Sequence, residues 1–213
     1  MDSDTAKTVF KKKQSFSKGK RGTIYKSRFN SKYFIIKTRQ PESSSPGTIQ
    51  NEHVFTEKLN KIGIGPKAKY FDKDKDFLIR EFVDGQKIED WVIENKDKPN
   101  FKERLLKILK NILLQCKTMD DIKINKQELT NPHKDILITK QDVPVIIDFE
   151  RCRFTLKPKN TTQFLQYISR PFMLNILKDL SIDIKQREII ALGEAYKNNP
   201  SKEAFSKILS LLS

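Results

Sequence analysis

The stretch that decides the fold spans residues 135–151 and reads DILITKQDVPVIIDFER. Two short apolar runs, 135–139 and 143–147, flank a polar Lys-Gln-Asp segment, a pattern that predicts two β-strands joined by a turn. The second run is rich in β-branched residues, which suit a largely buried position in a sheet. It is followed at once by Asp148, and a carboxylate at the end of a buried strand is costly unless a cation pairs with it. Asp148 is therefore a candidate residue of a metal or phosphate site.

The composition is that of a globular protein with a heavily charged surface. The chain has 213 residues, of which 37% are apolar and 32% charged, enough for one large domain or two small lobes. No apolar run approaches the roughly 20 residues of a membrane span, and the N-terminus lacks a secretory apolar region. The sequence thus predicts a cytoplasmic protein without a membrane partner. Cys116 and Cys152 are predicted to be buried thiols, and the isolated histidines argue against zinc.

Positive charge is concentrated near the N-terminus. The formal net charge is +15, and residues 5–40 contain twelve Lys or Arg and no acidic residue. A nucleoside triphosphate needs only one or two of these cations, so the surplus favours attraction of RNA, such as tRNA or rRNA, or of an acidic protein. The alternative is a lysine-rich composition typical of a thermophile or of an AT-rich genome. Both interpretations stay open at this point.

Three segments of the N-terminal region carry residues suited to phosphate binding. Residues 17–24, SKGKRGTI, predict a hairpin whose glycines let the backbone approach a ligand. The apolar strand 33–37 ends in a single lysine, Lys37. A helix predicted over 48–61 follows, with Glu52 on its inner turn as the best partner for Lys37 and Glu57 as the alternative.

These motifs and their order resemble those of the protein kinase superfamily. The hairpin is similar to the glycine-rich loop G-x-G-x-x-G-x-V, with Lys37 at the V-A-I-K lysine and Glu52 at its helix glutamate. Asp148-Phe149-Glu150 stands where kinases have D-F-G, whose Asp holds Mg²⁺ on the nucleotide. The resemblance implies that ATP contacts a set of residues on the first lobe and the hinge: Ser17, Gly19, Gly22, Ile24, Lys37, Glu52, and the backbone of Glu81 and Val83.

The catalytic loop departs from the kinase pattern. Kinases have H-R-D-L-x-x-x-N before the strand pair, and the alignment puts Asp135 at the Asn that holds a second Mg²⁺. In the kinase pattern the catalytic Asp lies five residues before this Asn. The residue five before Asp135 is Thr130, whose hydroxyl cannot act as a base. A two-residue insertion instead places Glu128-Leu129 at Asp-Leu, so Glu128 becomes the base, its longer side chain compensating for the insertion. Lys134 would neutralise the transferring phosphate, or is an ordinary solvated lysine.

The resemblance implies an α+β fold of two lobes. Residues 1–81 would form a five-stranded antiparallel N-lobe with one helix, 82–86 a hinge, and 87–213 a short, mainly helical C-lobe. Helices are predicted at the following segments: 101–119, 161–169, 171–180, 185–197 and 201–212. The short C-lobe is similar to that of the small RIO and KEOPS-associated kinases. The pattern E-L-T-x-P-x-K followed by D-F-E-R-C resembles archaeal predicted serine/threonine kinases.

The expected function is that of an atypical serine/threonine protein kinase or ATPase that transfers the γ-phosphate of Mg-ATP to a protein substrate or water. The first alternative is a pseudokinase whose basic N-lobe binds RNA or an acidic protein. The missing H-R-D and the missing glycine of D-F-G motivate it. The second alternative is a small-molecule phosphotransferase.

Overall fold

The computed structural model describes residues 1–19, 22–39 and 48–212, which form an α+β structure of two compact units. The first unit contains Met1–Asp84 and Val145–Cys152, and the second contains Gly85–Pro144 and Arg153–Ser213. The chain leaves the first unit at Asp84, inside the predicted hinge. Residues 145–152, which the sequence assigns to the second lobe, belong to the first unit.

The first unit is built on a five-stranded antiparallel sheet with the order β1-β2-β3-β5-β4. Its strands are β1 (Gln14–Lys18), β2 (Gly22–Phe29), β3 (Lys32–Arg39), β4 (Ala68–Asp72) and β5 (Phe77–Glu81). The apolar pattern of the sequence predicts strands at 68–72 and 77–81, and β4 and β5 confirm these bounds. Helix α2 (Thr48–Asn60) contacts β3, β4 and β5. In the register, Lys37 of β3 lies between Ile24 and Leu78.

The prediction of a single helix in this part of the chain is wrong. Helix α1 (Ser3–Lys11) precedes the sheet, and the Asp2 carboxylate caps it by accepting the Thr5 N–H at 2.8 Å. Ala6 and Val9, three residues apart, are fully buried against β3 and β5 on the face of the sheet that Lys37 does not share. In the sequence, the capping residue Asp2 and the apolar pair Ala6 and Val9 indicate this helix. The lysines between and after them interrupt the apolar pattern, so the helix was not predicted.

The second unit is mainly helical, as predicted. Its first α-helix is α3 (Ile88–Asn95). The other α-helices lie within about two residues of the predicted segments: α4 (Phe101–Asp121), α5 (Asn160–Ile168), α6 (Pro171–Asp179), α7 (Gln186–Asn198) and α8 (Lys202–Ser210). Leu105, Leu109, Ile112 and Cys116 of α4 are fully buried, which confirms this helix as the core of the unit. Both cysteines are free and buried, also as predicted.

Short strands complete the second unit. Strand β6 (Gly85–Lys87) pairs with β8 (Ile136–Thr139), and β7 (Ile124–Asn125) pairs with β10 (Arg153–Phe154). A turn closed by the Thr139 N–H and the Val143 carbonyl at 3.0 Å leads to β9 (Pro144–Ile146), whose last two residues belong to the first unit. Both strands predicted around the Lys-Gln-Asp turn are therefore present. Strands β7 and β10 have two residues each, too few for an alternating pattern to reveal them. No helix in the described part of the chain is long and apolar enough to cross a membrane.

Candidate functional site

The centre of the site is a buried ammonium group that bridges two carboxylates. Lys37 is 6% exposed, and its Nζ donates to Glu52 Oε2 at 2.7 Å and to Asp148 Oδ1 at 3.1 Å. Strand β3 supplies the lysine, helix α2 the glutamate, and the segment after β9 the aspartate. The contact of Lys37 with Glu52 confirms the pairing predicted from the sequence, and the contact with Asp148 supplies the cation expected beside that carboxylate.

Glu52, and not Glu57, is the partner of Lys37. Glu52 is 1% exposed because it lies on the buried face of α2 with Ile49, Phe55 and Leu59. The Glu57 side chain is 60% exposed, and its carboxylate lies 3.6 Å from His53 on the same helix. The alternative pairing considered from the sequence is therefore wrong.

Backbone constraints hold Asp148 in place. Its φ of 66° lies in the left-handed region, which is unfavourable for residues other than glycine and is found often at functional sites. The next residue, Phe149, is buried against Gly65, where a Cβ atom would lie 2.4 Å from the phenyl ring. On the other side, Asn51 Nδ2 of α2 donates to the carbonyls of Glu150 and Cys152, at 2.7 and 3.0 Å. The carboxylate of Asp148 is thus held towards Lys37 by packing and by hydrogen bonds.

The same turn adds a third carboxylate. Glu52, Asp148 and Glu150 each offer a ligand oxygen, and these atoms all lie within 4.8 Å of one another. Carboxylate oxygens are ligands that Mg²⁺ accepts, so the donor set fits a hard divalent cation. Asp148 was predicted as a metal ligand because the kinase pattern D-F-G assigns Mg²⁺ to its Asp. Glu150 was not predicted, since the third position of that pattern is a glycine and carries no ligand.

A second buried cation, Arg80, was also missed from the sequence. Arg80 is 5% exposed on β5 and pairs in register with Ile35, which puts its side chain on the same face as Lys37. Burial lowers the pKa of Arg80, while the negative charges of Glu52 and Asp148 act in the opposite direction. An arginine within the apolar strand FLIRE, residues 77–81, is the feature of the sequence that indicates a buried cation here.

The cluster brings three carboxylates, Glu52, Asp148 and Glu150, near two cations, Lys37 and Arg80. Burial alone would lower the pKa of Lys37, but Glu52 and Asp148 outweigh it and the pKa is raised. The pKa of Glu52 is also raised, first by burial and then by the repulsion of Asp148, although Lys37 and Arg80 oppose this. A bound divalent cation would relieve this repulsion between the carboxylates.

The predicted glycine hairpin is present at its base. Ser17 lies opposite Ile24 in the β1–β2 ladder, and the Gly19 N–H donates to the Gly22 carbonyl at 3.0 Å. A Cβ atom on Gly22 would lie 2.4 Å from the Thr38 carbonyl oxygen, so crowding against β3 explains this glycine. Lys20 and Arg21 at the tip lie outside the described residues. Phosphate contacts of the hairpin stay a prediction.

Next to the predicted hinge, the backbone at the end of β5 is already hydrogen-bonded within the first unit. The Glu81 N–H donates to the Lys67 carbonyl at 3.0 Å, and its carboxylate pairs with Lys69 at 2.7 Å. Val83 is half-buried. Adenine recognition by Glu81 and Val83 stays a prediction, and it depends on backbone groups other than the Glu81 N–H.

The predicted catalytic residues belong to the second unit. Glu128 is exposed with a φ of 78°, and its carbonyl accepts the Asn131 N–H at 2.9 Å. Lys134 is exposed at the end of the 3-10 turn Pro132–Lys134. Asp135, the predicted second metal ligand, accepts from the buried Lys126 Nζ at 3.0 Å. The roles of Glu128, Lys134 and Asp135 therefore stay predictions, and Lys126 is a residue that the sequence analysis missed.

A buried hydrogen-bond network positions this loop. Asn160, the first residue of α5, is fully buried. It donates to Asp120 Oδ1 at 2.8 Å and to the Ile124 carbonyl at 2.7 Å, and accepts the Lys126 N–H at 2.7 Å. Burial raises the pKa of Asp120, partly offset by hydrogen bonds from Thr161 and Asn160. The network joins α4, α5 and β7, whose separation along the chain leaves no local sequence signal.

Replacing Asn160 with Ala should lower the free energy of unfolding by about 2–4 kcal/mol, because the Ile124 carbonyl and the Lys126 N–H would lose buried partners. Urea denaturation followed by circular dichroism measures the change. Asn111→Ala, at an exposed position of α4, is the matched control and should change the stability by less than about 0.5 kcal/mol. Equal stability of the two variants would contradict the structural role of Asn160.

No protein-family model matches the chain, and a comparison with curated proteins finds no significant match.

Proposed function

We propose that the protein is an ATP-dependent phosphotransferase of the protein kinase-like type that uses Mg-ATP. The observation that carries the proposal is the buried Lys37, bridged at 2.7 Å to Glu52 and at 3.1 Å to Asp148. A lysine held between a helix carboxylate and a metal-binding aspartate is the arrangement that kinase-like enzymes use to fix nucleotide phosphates. Burying the ionised side chains of Lys37 and Glu52 costs stability that a purely structural role would not require.

The side chains divide the work between binding and charge neutralisation. Lys37 would contact the α and β phosphates, and Glu52 would hold its ammonium group in position. Asp148 and Glu150 would hold Mg²⁺, which would neutralise charge on the phosphates when bound. The role of Asp135 as a second metal ligand stays a prediction from the sequence. Glu128 would accept the proton of the attacking hydroxyl or water, and Lys134 would stabilise the transferring phosphate. Phosphoryl transfer requires little more than this positioning and electrostatic stabilisation.

The order of elements supports a two-lobed kinase-like fold for the whole chain. A glycine hairpin, a strand lysine, a helix glutamate, a linking segment, a long buried helix and the Asp148 turn follow one another. The five-stranded antiparallel sheet and the mainly helical second unit match that class. The acceptor that we propose is a serine or threonine hydroxyl, with water as the acceptor in an ATPase.

The experiment that tests this function is incubation of the purified protein with ATP labelled at the γ-phosphate, with Mg²⁺, and with or without a cell extract. We expect label on a protein in the extract, or release of labelled phosphate, and no transfer in the presence of EDTA. Tight ATP binding with neither transfer nor hydrolysis would contradict the enzymatic proposal and favour the pseudokinase alternative.

A second candidate function is binding of single-stranded RNA by the first unit. Phe16 and Tyr33 are 56% and 44% exposed, and both contact the ring of Phe82 edge-on. Lys26 Nζ lies 3.7 Å from the centroid of Phe82 and 4.4 Å from that of Tyr33. Exposed aromatic rings beside cations are the platforms on which bases of single-stranded nucleic acids stack. The lysines and arginines of residues 5–40 other than the buried Lys37 would supply the attraction to the RNA backbone.

For this candidate, Phe16→Ala should weaken binding of a short single-stranded RNA by roughly 5-fold to 100-fold, because one stacked base contributes about 1–3 kcal/mol. Fluorescence anisotropy at low salt measures it. Phe154→Ala removes an aromatic ring of similar exposure, 57%, from the second unit and serves as the control. Unchanged affinity of the Phe16 variant would exclude the stacking platform.

A further inference from the structure

The second unit contains a cavity of about 550 Å³ that the proposed phosphotransfer does not use. Its wall is formed by the end of α4, the segment 156–159, the first turn of α5 and the end of α7. The volume falls within the range of roughly 300–1,000 Å³ typical of small-molecule sites.

Lysines dominate the lining of this cavity, and they are Lys123, Lys157, Lys159 and Lys197. All are exposed, and none of their ammonium groups has an ion-pair partner among residues 1–19, 22–39 and 48–212. Like charges placed around one concavity repel one another, so the arrangement favours a ligand that carries negative charge.

The acidic residues of the lining do not neutralise these lysines. Asp121 is paired with Lys117 of the same helix. Asp120 accepts the N–H groups of Asn160 and Thr161, at 3.0 and 3.1 Å, and its pKa is raised by burial. The first N–H groups of α5 already donate to Asp120, so they do not bind a ligand. An anionic ligand would therefore be bound by the lysines.

The cavity also has an apolar side. Leu156 is 86% exposed, and the rings of Pro158, Tyr196 and Pro200 line the wall with it. Ligand sites commonly join an apolar surface to a few charged groups that fix the orientation. A ligand that fits both sides has a ring or other apolar portion and at least one phosphate.

We propose that this cavity binds a small phosphorylated ligand of nucleotide size, with its phosphates on Lys123, Lys159 and Lys197 and its apolar portion against Leu156. The site goes beyond the proposed phosphotransfer, whose buried lysine and carboxylates belong to the first unit. An uncovered leucine beside unpaired ammonium groups is the arrangement that such an amphipathic anion would cover.

Isothermal titration calorimetry without Mg²⁺ tests the proposal, with UDP, inorganic pyrophosphate and uridine as probes. We expect UDP to bind, pyrophosphate to bind more weakly, and uridine not to bind measurably. The double variant Lys123→Gln/Lys197→Gln should weaken UDP binding at least about tenfold, since each ammonium–phosphate contact is a charge-assisted hydrogen bond. Lys178→Gln/Lys207→Gln makes the same charge change at exposed positions elsewhere in this unit and should leave the affinity within about twofold.

Three results would overturn the proposal. The first is that neither UDP nor pyrophosphate binds at millimolar concentration. The second is equal affinity for UDP in both double variants, which would place the binding elsewhere. The third is that only a single-stranded oligoribonucleotide binds in a manner sensitive to Lys123 and Lys197, which would identify the surface as an RNA contact instead. Circular dichroism of each double variant checks that replacing two exposed lysines leaves the fold intact.

Discussion

Asp148→Asn should reduce Mg-ATP turnover by about 100-fold to 1,000-fold, the range expected when one electrostatic group of a catalytic site is removed. The substitution keeps the size of the side chain and replaces one carboxylate oxygen with an amide nitrogen. Of the two carboxylates proposed to hold Mg²⁺, Asp148 and Glu150, one would lose its charge, so the affinity for Mg²⁺ should fall as well. Initial rates measured over a series of Mg²⁺ concentrations separate a loss of metal affinity from a loss of rate at saturating metal.

The fold of this variant should be preserved. The Asp148 side chain is 38% exposed, and the turn that carries it is held independently by Phe149 against Gly65 and by Asn51. Asp74→Asn removes the same charge from an exposed position in the same unit and should leave turnover unchanged. Wild-type turnover by the Asp148 variant would exclude the metal-binding role and with it the proposed mechanism.

The sequence predicted the parts of the fold that depend on local pattern. The long helix α4 and strand β5 were located because their apolar residues recur with helical or strand periodicity over enough positions. The pairing of Lys37 with Glu52 was predicted from motif order. In the segment predicted as a helix over 48–61, the apolar pattern predicts that Val54, Phe55 and Leu59, with Ile62 beyond its end, face the core. This is only partly correct, since Val54 and Ile62 are 38% and 40% exposed. The buried face instead includes the charged Glu52, which a pattern of apolar residues cannot indicate.

The parts of the site that escaped prediction depend on tertiary contacts. Arg80 enters the cluster because β5 pairs with β3, and Asn51 reaches the Asp148 turn across about a hundred residues of chain. Asn160 acquires its role by meeting Asp120 and the backbone of β7. In each case an ordinary polar residue is made important by neighbours that its own sequence segment does not reveal.

The second large effect concerns stability as well as activity. Lys37→Met keeps the length of the side chain but leaves Glu52, 1% exposed, without its nearest cation. Breaking a buried ion pair from one side costs about 3–5 kcal/mol, because the remaining charge is uncompensated. Arg80 stays nearby, so we expect the lower part of this range, measured as the free energy of unfolding in urea. Turnover should fall at least about 100-fold, since the phosphates lose their ammonium partner.

The double variant Lys37→Met/Glu52→Gln separates the two consequences. Removing the stranded charge should restore most of the lost stability, whereas turnover should stay low because Lys37 is still missing. The surface pair Lys69–Glu81 on the same sheet provides the control: Lys69→Met should cost less than about 1 kcal/mol, as exposed ion pairs do. A Lys37 variant as stable as the Lys69 variant would show that the buried pair is not formed. A double variant with restored turnover would show that Lys37 does not act on the nucleotide, and the stabilising and catalytic roles assigned to one ammonium group would have to be divided between different residues.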